Sequence, residues 1–92
     1  MELRDFRPLH KNTLLGFFTL ALDSGLVIAD CTLHESHGKR WFGFPGRPVL
    51  DAEGNVVRDG AKVRYAQVVS LPDRARMDLL QAKVLELARR LP

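Results

Sequence analysis

Residues 14–22 (LLGFFTLAL) and 26–34 (LVIADCTLH) are two nearly apolar stretches of strand length, separated only by Asp23, Ser24 and Gly25. Aromatic and β-branched side chains favour extended backbone, and Gly25 is free to take the positive φ that a tight connection needs, so the pair reads as a β-hairpin. Both strands are apolar on both faces, whereas a sheet with one face in water alternates. Something must therefore cover the second face.

The neighbouring segments extend this hairpin into an antiparallel meander. Gly38 sits in a loop, residues 39–44 read as a third strand, and Pro45, which has no N–H to donate, ends it. Residues 3–10 read as an edge strand, because Pro8 is tolerable only where its missing donor faces water. Asp51 to Asn55 (DAEGN) marks a turn, and residues 63–69 supply a last strand.

A helix is expected over residues 72–91, capped by Ser70, with Pro72 in its first turn and Asp73 at its third position, where a carboxylate meets free N–H groups. Met77, Leu80, Val84, Leu87 and Leu91 recur every three or four residues and form one apolar stripe, and Arg89 and Arg90 sit at the end that favours positive charge. One stripe covers one sheet face and leaves Leu79, Leu85 and the remaining sheet surface without a partner. The expected architecture is α+β: one domain over residues 1–92, a small antiparallel sheet with a C-terminal helix, and a homodimer to complete the burial.

A single cysteine, Cys31, excludes an internal disulfide and a cysteine-rich zinc module and fits a reducing cytoplasm. No run of about 18 apolar residues is present, and the amino end lacks the order of a signal peptide, so no membrane association and no processing are expected. Cys31, His34 and His37 lie within seven residues. In an extended run, however, Cys31 and His34 point to opposite faces and cannot share an ion, so no metal site is expected. Cys31 reads as a small buried hydrophobe, and His34 and His37 as solvent-facing groups at loop ends. There is no nucleophile elbow, phosphate-cradling glycine loop or dinucleotide fingerprint. The expectation is a non-enzymatic protein with no cofactor and no small-molecule substrate.

Charge is divided unevenly along the chain. Residues 1–38 carry three basic and five acidic groups, net −2; residues 39–64 carry six and three, net +3; residues 65–92 carry five and three, net +2. The basic middle segment contains Lys39, Arg40, Arg47, Arg58, Lys62 and Arg64, with Trp41, Phe42 and Phe44 interleaved. Single-stranded nucleic acid is held by bases stacked on aromatic faces while cations follow the phosphates. Phe42 and Phe44 are assigned to the core. Lys39, Arg40, Trp41, Arg47, Arg58, Lys62 and Arg64 are the candidate nucleic-acid contacts, with single-stranded DNA or RNA favoured; Trp41 reads equally as core or dimer packing. The alternative is a protein-protein interaction module on which these cations only maintain solubility.

The order of motifs resembles the septation protein SpoVG family of small bacterial nucleic-acid-binding regulators. Three stretches carry the likeness: LALDSGLVIADCTL at Leu20 to Leu33, WFGFPGRP at Trp41 to Pro48, and the closing helix up to Leu91. The resemblance implies a small antiparallel sheet with a C-terminal helix, a homodimer, and binding of DNA or RNA without a cofactor. Two places depart from the family pattern. Gly46 and Arg47 stand where a hydroxyl or small residue and then cations are usual, and residues 63–69 lack the His-Pro often found there. At the level of fold idea only, the chain is also similar to the positive-cofactor-four type of single-stranded DNA-binding dimer.

Overall fold

The structure is a computed structural model that describes residues 1–91. Four strands, β1 (Glu2–Lys11), β2 (Leu14–Ala21), β3 (Val27–Ser36) and β4 (Lys39–Gly43), form an antiparallel sheet in chain order. The helix α1 (Arg74–Ala88) lies across one face. The expected α+β meander with a C-terminal helix is what the chain forms. The strand of residues 3–10 is indeed an edge strand, with Pro8 opposite Gly16.

The connections are short because their residues accept positive φ. His37 (φ 52°) and Gly38 (φ 77°) make the two-residue turn between β3 and β4, the backbone pattern that matches the twist of the flanking strands. Each of the first two strand pairs also carries two bulges. One extra residue on β3, at Ala29 and Asp30, puts Ile28 and Cys31 on the same buried face although they are three apart. Asp30 stands there with φ 57°.

The helix-covered face is the core. Phe18, Leu20, Ile28, Cys31, Leu33 and Phe42 from the sheet close on Val84 and Ala88 of α1, with Met77, Leu80 and Leu85 packed around them. Full burial of Phe18 and Phe42 stabilises by about 1.5–3 kcal/mol each. Phe44 packs on this core and meets Phe42 edge-on at 5.3 Å, so both phenylalanines are structural, as expected. Leu85 finds a place at the core margin, whereas Leu79 is 65% exposed.

The start of the helix differs from expectation. Asp73, not Ser70, is the N-cap: its backbone is extended and its carboxylate accepts from the Arg76 N–H at 2.8 Å. The residue before a proline avoids the helical region, so Leu71 stays out of the helix and Asp73 is the first side chain placed to cap. At the other end Arg90 N–H and Leu91 N–H donate to carbonyls three residues back, a tightened final turn.

The second difference concerns residues 46–67. No long last strand forms over 63–69. Instead β5 (Gly46–Pro48) pairs with β8 (Tyr65–Gln67), and β6 (Arg58–Asp59) pairs with β7 (Lys62–Val63), as an arm outside the four-stranded sheet. The Val49 N–H donates to the Arg64 carbonyl and the Arg64 N–H to the Val57 carbonyl, which joins the two small ladders. Asp51 organises the expected turn, its carboxylate accepting from the Glu53 and Asn55 N–H groups at 2.9 Å. No residue of the arm is buried. The radius of gyration, 14.5 Å, exceeds the roughly 12 Å of a compact chain this long, as a projecting arm requires.

Candidate nucleic-acid interface

The face of the sheet away from α1 carries two cross-strand rows. Arg7, Phe17, Thr32 and Gly43 are register partners across β1 to β4, and one step along are Lys11, Leu14, His34 and Trp41. Each row starts with a cation on the edge strand and runs across an aromatic ring. The Arg7 guanidinium lies 5.7 Å from the Phe17 ring centroid and donates to Asp30 at 2.7 Å. His34 and Trp41 stack in nearly parallel planes, 8° apart, with centroids 5.4 Å from each other.

Hydrogen bonds hold the His34 ring in place. Nδ1 is 3.0 Å from the Thr13 hydroxyl and Nε2 is 3.0 Å from the Thr32 hydroxyl. Partial burial lowers its pKa below the ordinary histidine value, which keeps the ring neutral and suited to stacking. His34 is thus a half-buried strand residue and not the solvent-facing loop-end group expected; His37 does occupy an exposed turn. Cys31 faces the other way, fully buried beneath the helix, with its thiol pushed up to about 11, first by burial and then by the Asp30 charge. Cys31 and His34 lie on opposite faces because no bulge interrupts β3 between them. Among the described residues no group of three His, Cys, Asp or Glu side chains is placed to hold a metal ion.

The seven residues singled out from the sequence separate into two groups. Lys39, Arg40 and Trp41 are on β4, whereas Arg47, Arg58, Lys62 and Arg64 are on the arm. Trp41 joins the open face, and Lys39 shares its phase along the strand. Arg40 points to the helix side, where its Nε is 3.3 Å from the Glu35 carboxylate, so it is separated from Trp41 by the sheet itself. Arg58 and Lys62 flank the Gly60 turn at one tip of the arm, and Arg64 lies 3.8 Å from Asp59. The arm and the amino end of β4 are separated by the strand, roughly 13 Å of rise over four residues.

Arg7, Lys11, Phe17 and His34 were not legible as a group from the sequence. Which residues of different strands share a row is set by the pairing register, and the shifts between Pro8 and Lys11 on β1 and between Leu14 and Gly16 on β2 interrupt simple alternation there. The chain matches no family model, no curated protein and no solved structure. No helix among the described residues is long and apolar enough to cross a membrane.

Proposed function

We propose that the chain is a non-enzymatic nucleic-acid-binding protein, cytoplasmic and homodimeric, that holds single-stranded DNA or RNA without a cofactor and acts as a transcriptional or post-transcriptional regulator. The observation that carries this reading is the open face itself: Phe17 and the His34–Trp41 stack stand in rows that begin at Arg7 and Lys11, with no helix over them. Aromatic faces take bases and the flanking cations take phosphates, and the arm adds Arg47, Arg58, Lys62 and Arg64 for a strand that continues past the sheet. The likeness of three stretches to the SpoVG family supports the same reading.

The homodimer is supported by apolar surface that nothing in one chain covers. Leu50 (58% exposed) and Val56 (41%) are bridge partners on the arm. A second copy of the chain would bury such a pair. They equally support a protein-protein interaction module, the second reading.

A fluorescence titration with single-stranded DNA, duplex DNA and RNA at two salt concentrations tests the proposal. With about four cations on phosphates, log affinity for a single strand falls against log salt with a slope of roughly −3. The paired change Arg58→Ala and Lys62→Ala shallows that slope by about 1.4, and Arg40→Ala leaves it nearly unchanged because Arg40 faces away. No retention of any of the three at about 50 mM salt and about 100 µM protein leaves the interaction module as the surviving reading.

A further inference from the structure

Where β4 leaves the sheet, the row that begins at Arg7 ends in Gly43, and the missing side chain opens a cleft of about 810 Å³ between the sheet and the base of the arm. This lies within the usual range for sites that enclose a small organic group. Three aromatic rings from three different segments line it: Phe17 of β2, Phe44 after β4, and Tyr65 of β8. Tyr65 is 64% exposed, an unusual position for a ring that contributes nothing to the core. Two glycines keep the walls low. A Cβ on Gly43 would stand 2.9 Å from the Thr32 hydroxyl, and one on Gly46 would stand 3.1 Å from the Ala66 carbonyl.

The polar groups in the cleft decide what it can hold. Asp30, Thr32 and Gln67 reach it, and no lysine, arginine or histidine lines it. The one charged group of the lining is the Asp30 carboxylate, already paired with the Arg7 guanidinium at 2.7 Å, so no unpaired cation of the lining faces a phosphate. The cleft therefore suits an uncharged planar ring with hydrogen-bonding groups at its edge, with Gln67 able to donate and accept. The cations are placed outside it. Arg7 stands one row position from Phe17 and holds Asp30, while Arg47 opposes Ala66 on the alternate face of the β5–β8 ladder from Tyr65.

We propose that this cleft takes one unstacked base of a bound single strand, seated against Tyr65 and Phe17, while the phosphates on either side remain with Arg7 and the arm. The site rests on the nucleic-acid reading and gives it a specific seat for a base. Loss of a stacking ring lowers affinity without altering the number of phosphate contacts, which separates this site from the cationic surface.

The test compares a twelve-nucleotide oligothymidylate with an abasic strand of the same length, titrated against the intact protein and against Tyr65→Ala and Tyr65→Phe at two salt concentrations. Tyr65 belongs to no part of the core, so both variants retain the fold. The expected result is an oligothymidylate affinity about five- to thirtyfold lower for Tyr65→Ala. Its salt slope stays unchanged, abasic binding is unaltered, and Tyr65→Phe stays near the original protein. Oligothymidylate binding that is indifferent to Tyr65→Ala, or abasic binding that falls equally, overturns the base seat and leaves the nucleic-acid reading intact. If neither strand binds the unaltered protein, that reading fails and the base seat fails with it.

Discussion

The side chain of Gln81 pairs with the backbone of Phe42 as a neighbouring strand would: the Phe42 N–H donates to Oε1 at 3.0 Å, and Nε2 donates to the Phe42 carbonyl at 2.8 Å. Phe42 opposes Leu33 in the β3–β4 ladder, so Gln81 occupies the outer edge of β4. One helix residue thereby docks α1 and closes a sheet edge against further pairing, which explains why residues 63–69 form part of an arm and not a fifth strand of the sheet.

Removing that amide leaves two half-buried backbone groups without partners. Gln81→Leu, which keeps the bulk and deletes both hydrogen bonds, is expected to lower stability by about 1–3 kcal/mol in urea unfolding. An unchanged midpoint would show that water replaces the amide freely.

Gly16 is a second position where a small change has a large effect. A Cβ there would lie 2.5 Å from the Arg7 carbonyl and 2.9 Å from the Phe6 ring, so the backbone of β1 must move to admit it. Gly16→Ala is expected to destabilise by about 1–3 kcal/mol through overpacking. Phe6→Leu on the same background should recover part of the loss, because only the ring component of the clash is relieved.

The lowered pKa of His34 fixes the sign of a pH effect. In the unfolded chain the ring takes up a proton near pH 6.5, and in the fold burial delays that uptake to lower pH. Stability is therefore fully present above about pH 6.5 and declines as the pH falls through the folded value. His34→Gln should flatten the decline in unfolding midpoint between pH 7 and pH 5, and an equally steep decline in the variant would assign it to other groups.

The exposed pair Leu50 and Val56 leads to a test of assembly. Sedimentation at micromolar concentration is expected to give twice the chain mass, and Leu50→Asp together with Val56→Asp should return it to the mass of one chain. A folded monomer before substitution would remove the homodimer and leave the arm free for a different partner.

The local chemistry of the chain was enough to place its main elements. Apolar β-branched and aromatic runs between turn-forming residues produced β2, β3 and β4, and the three- and four-residue spacing from Met77 to Leu91 produced the helix. Alternation also put Cys31 and His34 on opposite faces and assigned Phe42 and Phe44 to the core. Tertiary structure decided the rest, because it depends on contacts distant in sequence. The pairing register of β1 to β4 brought Arg7, Lys11, Phe17, His34 and Trp41 into two shared rows. Gln81, thirty-nine residues from Phe42, closed the β4 edge and left residues 46–67 to pair among themselves. A propensity is written residue by residue, whereas a register is settled only when two segments meet, so the elements were legible in the chain and the face they build together was not.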